Sequence, residues 1–217
     1  GPDGDNQIKN FTLSRELVEV GVLQNGSKRE SVVITNNGDL SLKFDLSLVG
    51  LNDLLELNVN NFSLNSGDFQ VVDINIDVSD DESPGVKTAS LIVKSGTISK
   101  FVNFVIEIIS NGALFDLKSE LVNNVLTEED VITAVISMTD ISNLGEVEVS
   151  LEYFVKDFEN NETKLGEETL TVDGNLEIER TFDIPEKLEL GDYVFYVKLN
   201  YQGNFATSSD TFKLTNI

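Results

Sequence analysis

Neither cysteine nor histidine occurs in the 217 residues of this chain. Cys–His pairs and Ser–His–Asp triads are therefore impossible, and most zinc sites go with them. Cations are scarce as well: 15 Lys and Arg face 38 Asp and Glu, for a formal net charge of −23. No basic cluster exists to neutralise phosphates, which argues against nucleic acid and against an anionic membrane surface as partners. No apolar run approaches the roughly 18 residues of a membrane span. Gly-rich phosphate loops, nucleophile elbows and zincin motifs are missing too. The expectation is a protein that is not an enzyme and has a solvated acidic surface.

At the start, Gly1-Pro2 matches the scar left when a 3C-type protease removes an affinity tag. Residues 1–7 are accordingly read as a tag remnant and disordered start. A membrane connection is expected only through an anchor outside this stretch.

What is present is alternation with a period of two. Leu40, Leu42, Phe44, Leu46 and Leu48 alternate with polar residues, as do Val72, Ile74, Ile76 and Val78. Val147, Val149, Leu151, Tyr153 and Val155 follow the same rule, and so do Tyr193, Phe195, Val197, Leu199 and Tyr201. Each run predicts a strand with one buried and one wet face. Turn signals such as Asn25-Gly26, Asn37-Gly38, Ser83-Pro84-Gly85, Ser95-Gly96 and Asp173-Gly174 separate the runs. Helical spacing is confined to Leu51–Leu57, one or two turns at most. A break falls at Ser110-Asn111-Gly112, and the halves echo each other in strand–turn–strand order: Val33 to Leu48, then Val135 to Tyr153. The prediction is all-β, with two tandem immunoglobulin-like β-sandwich domains over 8–110 and 113–217. Charge is uneven. Residues 1–111 hold eight basic and sixteen acidic groups (net −8), and residues 112–217 hold seven and twenty-two (net −15).

The first half contains Asn36-Asn37-Gly38, Phe44-Asp45-Leu46-Ser47-Leu48, Phe62-Ser63-Leu64, Ser83-Pro84-Gly85 and Leu91-Ile92-Val93-Lys94-Ser95-Gly96. It resembles the NEW3-related immunoglobulin-like modules of archaeal cell-surface proteins. Glu152-Tyr153, Ile184-Pro185 and Leu190-Gly191-Asp192-Tyr193-Val194-Phe195 make the second half look like their companion domains, with Tyr193 at the tyrosine-corner position. The resemblance implies an extracellular or cell-surface ectodomain and no catalytic residue.

Three kinds of binding chemistry remain. Asp77, Asp80, Asp81 and Glu82 crowd the loop before Pro84-Gly85, and Glu128, Glu129 and Asp130 crowd another. Hard cations take several oxygens, so the first group is the candidate calcium site; otherwise no cofactor is expected. Phe154 and Tyr196 sit on the outward faces of their strands and are the candidate sugar-stacking rings. Four N-glycosylation sequons begin at Asn10, Asn25, Asn61 and Asn161, against about three expected by chance from 22 Asn and 33 Ser plus Thr. The leading expectation is a spacer, adhesion or envelope-assembly element that contacts a protein or cell-envelope partner. The alternatives are a calcium- or glycan-binding module and an intracellular scaffold.

Overall fold

A computed structural model describes residues 7–216. The expected tag remnant at 1–7 lies outside them except for Gln7, which is exposed coil. All regular structure among the described residues is β-strand. The helical spacing at Leu51–Leu57 makes only one turn, in which the Leu51 carbonyl accepts the Leu54 and Leu55 amides, before the chain extends again.

Up to residue 109 the strands are β1 (Phe11–Leu13), β2 (Leu17–Leu23), β3 (Ser27–Asn36), β4 (Leu42–Val49), β5 (Leu55–Leu57), β6 (Asn61–Leu64), β7 (Phe69–Asp77), β8 (Gly85–Ser95) and β9 (Ile98–Ile109). They form two sheets, β1-β3-β7-β5 and β2-β9-β8-β4-β6. After residue 114 come β10 (Phe115–Leu121), β11 (Val125–Leu126), β12 (Val131–Asp140), β13 (Glu146–Lys156), β14 (Glu162–Asp173), β15 (Asn175–Asp183), β16 (Gly191–Tyr201) and β17 (Asn204–Leu214). These form β10-β12-β15 and β11-β17-β16-β13-β14.

The two wiring patterns repeat. The first strand pairs with one sheet, then the chain crosses over: β2 runs parallel to the last strand β9, and β11 runs parallel to the last strand β17. The other pairs are antiparallel, β3 with β7 as β12 with β15, and β4 with β8 as β13 with β16. This is the architecture of immunoglobulin-like β-sandwiches. The echo between Val33–Leu48 and Val135–Tyr153 is the equivalent step β3 to β4 and β12 to β13.

Alternation explains each core. Val72, Ile74 and Ile76 of β7 face Phe44 and Leu46 of β4, and the resulting core uses residues 11–108 only. The second core, around Leu151, Tyr153, Phe195 and Val197, draws on residues 114–214 only. A fully buried aliphatic or aromatic side chain is worth about 1.5–3 kcal/mol over its exposed state, so each half holds its own driving force. One turn is tied down with particular care. Asn36 is fully buried, donating to the carbonyls of Leu40 (2.8 Å) and Leu64 (3.0 Å) and accepting the Gly38 amide (3.0 Å). Gly38 has to be glycine, because a Cβ there would stand 2.9 Å from the Asn10 amide nitrogen and closer still to the Ile8 carbonyl oxygen. Tyr193 donates to the Glu189 carbonyl at 2.8 Å, a corner contact four residues upstream.

One expectation fails in an informative way. β16 does not keep a wet face: Tyr193 through Val197 are all buried. On the inner side these residues join the second core, and on the outer side they meet the first sandwich.

Candidate functional site

The loop carboxylates do not converge. Asp81 accepts the Ser79 hydroxyl, and Glu82 pairs with Lys87 at 3.0 Å, while Asp77 and Asp80 remain exposed. Asp130 accepts both the amide (2.8 Å) and the hydroxyl (2.9 Å) of Thr127, and those bonds hold its carboxyl below the usual carboxylate range. Among the described residues no three Asp or Glu side chains gather as a cation site. Of the candidate calcium ligands, Asp77 ends strand β7, Asp80 lies exposed beside it, and Asp81 and Glu82 are engaged by Ser79 and Lys87. All four sequon asparagines are exposed.

Phe154 and Tyr196 correct a second expectation. They are a cross-strand pair stacked at 4.8 Å with 17° between ring planes, but they form no free face. Their exposures are 8% and 5%, because Val86 and Val105 of the first sandwich, together with Phe158 and Val194, cover them. The reason lies in the sheet order. β13 and β16 are central in their sheet, and its outer face packs on the outer faces of β8 and β9. Burial pushes the Tyr196 phenol well above its ordinary pKa, and its hydroxyl donates to Glu162.

Polar groups stitch this apolar contact. Lys156 is 6% exposed; its ammonium donates to the Val86 carbonyl at 2.8 Å, lies 3.3 Å from Glu162 and sits 5.5 Å above the Tyr196 ring. Burial pulls its pKa down, while Glu162 pushes the other way. Thr88, fully buried, donates its hydroxyl to the Asp157 carbonyl at 2.6 Å. Thr207 donates to Glu107 at 3.1 Å, and burial raises the Glu107 carboxyl. Each charge buried here has a partner from the opposite sandwich or its own strand pair, which is what makes such burial tolerable. Among the described residues no buried side-chain nitrogen or oxygen lacks a hydrogen bond.

Beside the sealed part of the junction the same sheet face continues in the open. Ile92 and Phe101 are register partners on β8 and β9, two residues beyond the pair Ser90 and Asn103. With Val49 and Leu17 they make an apolar floor, overhung by the 157–163 and 187–193 segments of the second sandwich. Two adjoining grooves of about 550 and 540 Å3 share Phe101, Asn103, Phe158 and Asp192. Phe101 is 52% exposed and Leu17 38%.

A period of two does not single out Lys156, Thr88, Val105 or Phe101. A signal exists all the same: Tyr193-Val194-Phe195-Tyr196-Val197 and Phe104-Val105-Ile106 are unbroken apolar runs, as strands covered on both faces require.

No protein-family model and no curated protein matches the chain. Solved structures do. A protein of unknown function from Porphyromonas gingivalis W83 superposes on 94% of this chain and 99% of its own, with a TM-score of 0.51 and 14% identity. The likeness is one of fold, and it extends across both sandwiches. The chaperone DraB of E. coli covers 94% of this chain and 97% of its own at TM-score 0.41 and 12% identity. The CupB2 chaperone of Pseudomonas aeruginosa covers 91% and 98% at 0.36 and 8%. Those two likenesses are too loose to support a reading of function.

Proposed function

We propose that this chain is a non-catalytic protein-contact element of a cell surface, of the kind found in archaeal surface proteins. In it two tandem immunoglobulin-like domains, 8–110 and 113–217, act as a locked spacer. The observation that carries the reading is the Lys156 ammonium on the Val86 carbonyl, inside a cluster that also buries Phe154, Phe158 and Tyr196. Domains that swung freely would return these groups to water at a cost of several kcal/mol. A fixed angle presents a defined surface to a protein or envelope partner and transmits length and orientation along a longer assembly.

X-ray scattering tests the lock. The wild type should fit one compact shape, whereas Val105→Asp, which places a charge in the junction without touching either core, should give an extended, variable one. A wild type that already scatters as an ensemble of angles defeats the spacer reading. Protease shaving of intact source cells, with mass spectrometry of the released peptides, tests the location. Peptides released only after lysis would favour an intracellular scaffold.

A further inference from the structure

The open half of the junction is built as a corner with two different walls. Its floor is the outer face of the first sandwich, where Leu17, Val49, Ile92 and Phe101 lie together. A single exposed apolar side chain is ordinary on a protein surface; several in one concavity mark a place where another surface sits. The other wall is acidic. Across the two grooves six carboxylates (Glu16, Asp157, Glu159, Glu162, Glu189, Asp192) face three ammonium groups (Lys100, Lys187, Lys213).

Some of these are already engaged. Asp157 accepts the amides of Glu159 and Asn161, each at 2.9 Å. Glu162 holds Lys156 and Tyr196, and Lys100 donates to the Phe11 carbonyl. Glu16, Glu159, Glu189 and Asp192 form no ion pair among the described residues, against Lys187 and Lys213. The local imbalance is therefore acidic, in the more negative half of a chain of net charge −23. Field lines focus in such a concavity and draw in the opposite charge.

We infer that this corner is the docking site for a segment of a partner protein that carries apolar side chains interleaved with Lys or Arg. Its apolar side chains would lie on Phe101 and Ile92 and its cations would face Glu159, Glu189 and Asp192. The inference rests on the locked arrangement proposed above, because only that arrangement holds the acidic wall over the apolar floor.

The test uses the whole chain and a labelled synthetic peptide alternating leucine and lysine, read by fluorescence anisotropy. A second peptide replaces every leucine with serine at unchanged charge, and a third replaces every lysine with glutamate. The leucine–lysine peptide should bind about tenfold or more tightly than the serine–lysine peptide, as burial of apolar side chains on Phe101 requires. The glutamate peptide should not bind. Phe101→Ser, at an exposed position, should erase the preference for leucine. Glu189→Gln with Asp192→Asn should weaken binding, whereas the same charge loss on the far side of the first sandwich, Asp53→Asn in the turn before β5 with Glu56→Gln on β5, should not.

Equal binding of the leucine and serine peptides would overturn the inference and reduce the attraction to bulk charge. So would a leucine preference that survives Phe101→Ser. Sedimentation of the free chain covers one more outcome: a dimer that Phe101→Ser dissociates would make a second copy the occupant and overturn the cationic segment. Scattering of the unliganded wild type reads the lock separately, so failure of the lock and failure of the docking site give different results.

Discussion

The Lys156 ammonium of the second sandwich lies 2.8 Å from the carbonyl oxygen of Val86 in the first. A cation of one half is thus satisfied by the backbone of the other, at a strand residue that cannot move without its sheet. This single bond couples the angle between the halves to the integrity of β8.

Lys156→Met keeps much of the apolar stem and removes the ammonium. The Val86 carbonyl and Glu162 then lose a partner in a partly dry site, at a cost of about 2 kcal/mol. Thermal unfolding should show a lower Tm for the variant, and its scattering should report a looser junction. A variant with wild-type Tm and shape would show that Lys156 contributes nothing to the lock.

Glu107 makes the junction sensitive to pH. Burial raises its pKa, the nearby Asp116 adds to the rise, and the Thr207 hydroxyl opposes it. The folded state therefore holds this proton more tightly than the unfolded chain. Its contribution is most favourable below the unfolded value and worsens as pH climbs through the folded value. Glu107→Gln should raise Tm at neutral pH, with a gain that shrinks to nothing in acid below the ordinary glutamate range. A gain that is the same at every pH would contradict this assignment.

Glu168 behaves in the opposite sense. Arg180 grips it through Nε (2.6 Å) and a terminal nitrogen (2.8 Å), and the Tyr153 hydroxyl donates to it at 2.5 Å. The Arg180 bonds lead in pulling its pKa down. Stability from this group is present above the unfolded value and disappears as pH falls through the folded one. Glu168→Gln should cost about 1 kcal/mol at neutral pH, the upper range for a partly exposed ion pair. The cost should vanish in strong acid, and denaturant titrations at two pH values would decide it.

Asn36 ties β3, the following turn and β6 together from a fully buried position. Asn36→Ala would orphan two carbonyls and the Gly38 amide, for a loss of about 2–3 kcal/mol. Circular dichroism melts should register it in the first sandwich. A loss below about 0.5 kcal/mol, the size of an ordinary surface change, would mean that the turn holds without it.

The strands are legible from residue order because alternation is a local property. A residue such as Ile74 must be buried if its neighbours Asp73 and Asn75 are to stay wet, whatever lies opposite. The break at 110–112 is legible for the same reason, since β9 ends at Ile109 and β10 begins at Phe115. Phe154 and Tyr196 mark the limit of this local rule: they do point outward from their own sandwich, yet they are not exposed. Alternation reports which side of a sheet a ring points to; it carries no information about whether another sheet covers that side. The candidate calcium group is equally a reading of adjacency alone. Asp77 to Glu82 are neighbours along the chain, but in the structure Lys87 takes Glu82 and Ser79 takes Asp81.

By itself the sequence determined the β class, the two cores and the acidic field, because each follows from composition and from a period of two. It also excluded thiol and imidazole chemistry outright. Only the tertiary structure decided that the halves meet face to face, that Lys156 is sealed between them and that Phe101 is left open beside an acidic wall. Those facts depend on which outer sheet faces touch, a relation between residues as far apart along the chain as Val86 and Lys156 that no local periodicity encodes.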